Sequence, residues 1–143
     1  MASPFTSPIT CHVLNTLNGT PAANLTCTLA LLSPLPSNRN SQRRSFTQIL
    51  LPAEFHSKTD ADGRVNGWDP TQSHSLKETL AEFQQGERIA WSIKFEVGEW
   101  YGKQGIESFW PEIEVKFFVK KGERHYHVPV LVGPWTYTTY RGS

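Results

Sequence analysis

His125 and His127 stand two residues apart in the stretch His125-Tyr126-His127-Val128-Pro129-Val130-Leu131-Val132. Read as a strand, it sends Tyr126, Val128, Val130 and Val132 to one side and His125, His127, Pro129 and Leu131 to the other, because successive side chains alternate faces. The apolar row belongs to a core, so both imidazoles face away from it. The same alternation in Ile9-Thr10-Cys11-His12-Val13-Leu14 aligns Cys11 and Val13 with Ile9 and turns His12 outward with Leu14. An unperturbed imidazole titrates at about pH 6.5, and two such rings beside an arginine can activate water and stabilise the anion its attack creates. That is equipment for hydrolysing a polarised carbonyl. The chain has no Gly-x-Ser-x-Gly elbow and no Ser, His and Asp at triad spacing, so covalent serine chemistry has no support. Two plainer readings stay open: outward His as mere polar residues, and a zinc site built from His-x-His plus a distant third His, against which the lack of a nearby Cys or carboxylate cluster weighs. His56 and His74 sit in loop-like surroundings and are given no role.

Strands must carry these rings, and period-two alternation supplies them. Ile89, Trp91, Ile93, Phe95 and Val97 alternate with Arg88, Ser92, Lys94 and Glu96; Ile113, Val115, Phe117 and Val119 alternate with Glu112, Glu114, Lys116 and Lys120, with Phe118 out of pattern. Residues 9–14, 25–32, 46–51, 125–132 and 136–141 bring the total to seven strand candidates. Turns are signalled at Asn18-Gly19, Asp62-Gly63, Lys121-Gly122 and Gly133-Pro134. The pattern predicts an all-β sandwich. One short helix is predicted after Ser75, which with Glu78 forms a capping box ahead of Leu76, Leu80 and Phe83; a second helical turn is predicted over residues 103–108. In 136–141 either Tyr137 and Thr139 or Thr136, Thr138 and Tyr140 form the outer row. With Tyr140 outward, His12, His127, Pro129, Leu131 and Tyr140 make a face too apolar for water, best covered by another copy of the chain.

Length and composition bound the rest. At 143 residues, 38% hydrophobic, the chain reads as a single domain, 1–143, with enough apolar material for a core. A net charge of +1 gives no footprint for nucleic acid or an anionic membrane surface. No apolar run reaches the ~18 residues of a membrane span and no secretory leader is evident, so a cytoplasmic or peroxisomal, not secreted, protein is expected; Arg141-Gly142-Ser143 is not a Ser-Lys-Leu type peroxisomal address. Cys11 and Cys27 lie in apolar segments and are expected reduced. Residues 33–45, rich in Pro, Ser, Asn and Arg, are expected to form a mobile loop insertion whose Arg39, Arg43 and Arg44 are solvated charge.

The segments Thr10-Cys-His12-Val-Leu-Asn-Thr, Gly19 to Ala22, Thr59-Asp-Ala-Asp-Gly-Arg64, Phe109-Trp-Pro-Glu-Ile, His125-Tyr-His127-Val-Pro129 and Tyr140-Arg-Gly-Ser143 together resemble the 5-hydroxyisourate hydrolases of the transthyretin-related family. The resemblance runs from about Pro8 to Ser143 and is interrupted by 33–45 and by the long connection 65–85. It implies a transthyretin-like sandwich of two four-stranded antiparallel sheets with one or two short helices, assembled as a homotetramer, a dimer of dimers, with sites in a central channel. It implies catalytic roles for His12, Arg64 and His127, substrate binding by His12, Arg64, Tyr140, Arg141, Gly142 and Ser143, and Tyr140 in the channel. It also implies water attack on a ring amide carbonyl of 5-hydroxyisourate, without metal or cofactor. Cys11 stands where Thr is commoner in the family, and Asn15 where Asp is usual. The alternative is a transthyretin-like carrier that holds a small aromatic ligand in the same channel.

Overall fold

The computed structural model describes residues 7–32, 53–71 and 74–143. Ten strands and two short helices are built from them: β1 Ile9–Asn15, β2 Thr20–Pro21, β3 Thr26–Leu31, β4 Glu54–Lys58, β5 Arg64–Val65, β6 Asp69–Pro70, α1 Leu76–Ala81, β7 Arg88–Phe95, α2 Val97–Gly102, β8 Ile113–Lys120, β9 Tyr126–Val132 and β10 Tyr137–Thr139. The first sheet runs β10-β9-β1, with β2 and β5 sharing the free edge of β1; the second runs β6-β4-β3-β7-β8. Each sheet is therefore four ranks wide plus a two-residue addition. All pairings are antiparallel except β1 with β9, which run parallel through seven pairs from Ile9↔Tyr126 to Asn15↔Val132. The family-type sandwich expected above is what the chain forms.

The apolar rows meet between the sheets. Ile9, Cys11 and Val13 from β1 and Val128, Val130 and Val132 from β9 face Leu29, Trp91, Ile93, Phe95 and Ile113 from the second sheet, all buried. Full burial of side chains of this size is worth about 1.5–3 kcal/mol each, which makes the strand rows the main source of stability. Cys11 and Cys27 are free thiols, wholly buried on facing sheets. Burial, and then the neighbouring Cys27, push the Cys11 thiol well above its usual range, so it stays protonated.

The capping box forms as read: Glu78 N donates to Ser75 Oγ at 3.1 Å and Ser75 N to Glu78 Oε1 at 2.7 Å, starting α1. The second helical turn does not lie over 103–108. It is α2, Val97–Gly102, because Val97 and Tyr101, four apart, bury one face together, while Lys103 to Gly105 form a turn in which Gly105 takes φ +73°. Val97 thus ends the β7 row and begins the helix. The Tyr101 hydroxyl, 2.7 Å from Asn15 Oδ1 and 3.1 Å from the Val132 carbonyl, ties α2 to the first sheet, which gives Asn15 a structural use. Strand β4 was not foreseen: Glu54-Phe-His-Ser-Lys58 has one large apolar residue, Phe55, and that one is buried. The predicted strand 46–51 and the loop 33–45 fall outside the described residues. No helix among the described residues is long and apolar enough to cross a membrane.

Candidate active site

Arg64 is aimed by a tight turn. Asp60 Oδ1 accepts from the backbone N–H of Asp62 and of Arg64, each at 2.9 Å, and Asp60 N donates to the Arg64 carbonyl at 2.9 Å. Gly63 takes φ +76° and lies against the Val13 carbonyl so closely that a Cβ there would collide with it. Val13 N donates to the Gly63 carbonyl at 2.8 Å, locking the turn onto β1. As a result Arg64 stands directly opposite His12, the two side chains on one face of the sheet. His12 Nε2 is 3.0 Å from the Asp62 carbonyl. A carbonyl only accepts, so His12 donates from Nε2.

The parallel β1–β9 ladder brings the second imidazole alongside. Thr10 is the partner of His127 in that register, and Thr10 Oγ1 lies 2.7 Å from His127 Nδ1 and 3.0 Å from His125 Nε2. The two rings are nearly parallel, 18° apart with centroids at 6.2 Å. Partial burial holds His127 below the ordinary imidazole range, and the charges of Arg64, His125 and His12 push it the same way. Burial alone lowers His125. Both rings are thus neutral at neutral pH and able to accept protons. In the β1–β9 register His12 stands opposite Pro129, two residues from His127 on the same face, with Arg64 opposite His12 on its other side, so the three share one patch of the sheet.

The C-terminal strand closes one side. β10 pairs with β9 as Tyr137↔Val132, Thr138↔Leu131 and Thr139↔Val130, and the same register continues to an isolated bridge between Gly142 and His127. Tyr140 therefore falls opposite Pro129, on the imidazole side, which settles which row is outer. Gly142 N donates to the His127 carbonyl at 2.9 Å, and a Cβ on Gly142 would come within 2.7 Å of His127 Cδ2 and 2.9 Å of Pro129 Cγ. Only glycine permits that approach. Arg141 belongs to the other row: its guanidinium lies 4.6 Å from the centre of the Tyr126 ring and 3.8 Å from Glu123. Of the predicted site residues, His12, Arg64, His127, Tyr140 and Gly142 converge; Arg141 is turned away and Ser143 is exposed.

Among the described residues, no three His, Cys, Asp or Glu form a metal-ligand group. What the arrangement offers is imidazoles and a guanidinium, the latter carried on a backbone fixed by its turn, on one shallow face. Thr10 and the carbonyl of Asp62 were not singled out from the sequence. The signal available was spacing, since Thr10 precedes His12 by two residues and so shares its face; what it touches depends on the parallel partner strand.

The HIUase/Transthyretin family model matches residues 9–142. The Schizosaccharomyces pombe protein named "Probable 5-hydroxyisourate hydrolase" is 35% identical over 137 residues, covering 94% of this chain and 90% of that protein. The Mus musculus 5-hydroxyisourate hydrolase is 33% identical over 137 residues, covering 96% of each. The solved structure of Klebsiella pneumoniae 5-hydroxyisourate hydrolase superposes with a TM-score of 0.63 over 96% of this chain and all of that one; at 24% identity it speaks to the fold. Fold, matched span and identity agree: the chain belongs to the HIUase/transthyretin family.

Proposed function

We propose that this protein catalyses the hydrolysis of 5-hydroxyisourate to 2-oxo-4-hydroxy-4-carboxy-5-ureidoimidazoline, a step of urate degradation. The observation that carries the proposal is the cross-strand meeting of His12 with Arg64 on the face that also bears His127. His12 and His127 position a water and remove its proton; the oxygen adds to a ring amide carbonyl, and the carbon–nitrogen bond breaks as the nitrogen is protonated. The carbonyl oxygen becomes an oxyanion, and the Arg64 guanidinium, held by its turn, stabilises it better than reorienting water can. Tyr140, 57% exposed beside Pro129, offers a flat ring and a hydroxyl to a planar substrate. No cofactor is needed for these steps. A long apolar ligand of the carrier type suits this ionisable face less well, and the relatives named above are hydrolases by name.

The active form in this proposal is a homotetramer, a dimer of dimers, with the imidazole faces lining a channel. Two features support it: among the described residues β8 and β10 are edge strands, and Phe118, Tyr137, Tyr140 and Trp135 near them are exposed large side chains. Unpaired edges carrying aromatics are expected to meet another subunit. The test is to generate 5-hydroxyisourate from urate with urate oxidase and follow its ultraviolet decay with and without the pure protein, while sedimentation gives the assembly. Accelerated decay by a tetramer is expected; decay at the spontaneous rate would reject the hydrolase.

A further inference from the structure

Thr10 is 2% exposed, and its hydroxyl is shared by two imidazoles, at 2.7 Å from His127 Nδ1 and 3.0 Å from His125 Nε2. A hydroxyl carries one proton, so it donates to one ring and accepts from the other. Two arrangements satisfy that rule. In one, His127 Nδ1–H donates to Thr10 and Thr10 donates to His125 Nε2, which leaves His127 Nε2 a free base. In the other, His125 Nε2–H donates to Thr10 and Thr10 donates to His127 Nδ1, which puts a proton on His127 Nε2 and makes it an acid. The two differ by the shift of two protons along the line His127 Nδ1, Thr10 Oγ1, His125 Nε2, together with a proton gained at His127 Nε2 and one lost at His125 Nδ1.

We propose that Thr10 and His125 are positioning residues that form a proton relay, converting His127 from the base that activates water into the acid that protonates the leaving nitrogen. The proposal rests on the hydrolysis described above. When His127 Nε2 takes the proton of water, its Nδ1 proton passes to Thr10 and the Thr10 proton to His125 Nε2. His125 then releases its own Nδ1 proton to solvent. On the return, His127 Nε2 gives its proton to the leaving nitrogen, the relay runs backwards, and His125 regains a proton from solvent, so protons and charges balance over the cycle.

The arrangement answers an electrostatic difficulty. His127 shares its face with Arg64 and His12, and a lasting positive charge on it is opposed by both and by burial. The relay passes that charge through His125 to solvent. His125 borders a groove whose charged lining, Lys77, Lys120, Lys121, Glu123 and Arg124, is mostly cationic, so the charge is handed on to solvent and not stored on His125.

The test compares Thr10→Val, which keeps the branched shape without the hydroxyl, Thr10→Ser, which restores it, and His125→Phe, which keeps a ring without nitrogens. The readouts are kcat, KM and pH profile for 5-hydroxyisourate decay, and the 15N resonances of His127. Val and Phe are expected to lower kcat about 10- to 100-fold with KM little changed, to alter the pH profile, and to drive His127 away from the wild-type mixture of tautomers; Ser restores both readouts. Wild-type kcat and pH profile in His125→Phe, or Ser no better than Val, would overturn the relay. Unchanged 15N resonances in Thr10→Val would do the same. If the wild-type protein itself does not hasten the decay, the hydrolase reading falls, and the 15N spectra still decide whether Thr10 governs the His127 tautomer.

Discussion

Two Thr–His pairs lie across neighbouring strands, one on each sheet. Thr28 on β3 faces His56 on β4 in an antiparallel pair, with Oγ1 3.3 Å from Nδ1, on an exposed surface among Glu54 and Lys58. Thr10 on β1 faces His127 on β9 in the parallel pair at 2.7 Å, half enclosed, with Arg64, His12 and His125 acting on it and the Gly142 backbone bonded to its own. Residue types are the same in both. The difference lies in enclosure and in the charges around the ring, since interaction strengths rise steeply as water is excluded. Chemistry therefore resides in the neighbourhood of a side chain, and a histidine–threonine contact by itself signifies nothing.

The largest effects should separate the two pairs outright. His127→Asn, His12→Asn and Arg64→Ala are each expected to lower turnover of 5-hydroxyisourate by about 100-fold or more, as loss of an acid–base group or an oxyanion donor does, with the assembly intact by sedimentation. His56→Asn on the other sheet is expected to leave the rate unchanged. Near-normal rates in any two of the first three would dissolve the contrast.

A smaller effect tests the enclosure. Gly142→Ala puts a methyl group against His127 and Pro129, and overpacking of this kind costs about 1–3 kcal/mol where it cannot be relieved. Activity should fall, whereas Gly102→Ala, which meets open space, should not change it. Equal rates would show that the tail does not hold His127.

pH sharpens the comparison further. Native His125 and His127 are held below the ordinary imidazole range, so the unfolded chain takes up protons that the fold refuses. Stability is therefore full above about pH 6.5 and declines as pH falls from there toward the lowered native values. Thermal melts at pH 7.5 and 5.5 should show a lower Tm at the acid pH, and His125→Phe should shrink the gap; a Tm independent of pH would mean that the rings are not enclosed. The smallest expected change is Ser75→Ala at the start of α1, a loss of about 1 kcal/mol of stability with activity untouched, read by denaturant melts.

Much of this architecture was legible in advance. The rows Ile89 to Val97 and Tyr126 to Val132 read as strands because one face is buried and the other is not, and the Ser75–Glu78 box reads as a helix start because its hydrogen bonds are local. Elements whose reason is distant were harder. Strand β4 owes its existence to β3 and β6 on either side, and α2 begins at Val97 where the Tyr101 hydroxyl finds Asn15 and Val132. Arg141 reads as part of the tail motif, yet in the fold its row points to Tyr126 and Glu123.

Alternation alone determined that His12, His125 and His127 leave the core, since side-chain direction along a strand is a property of the local backbone. Which of them meet, which nitrogen of His12 carries the proton, and that one threonine joins two rings were decided by the parallel register of β1 on β9 and by the turn that sets Arg64 opposite His12. Pairings between residues more than a hundred positions apart follow from how the two sheets bury their rows together, and no local pattern encodes that sum.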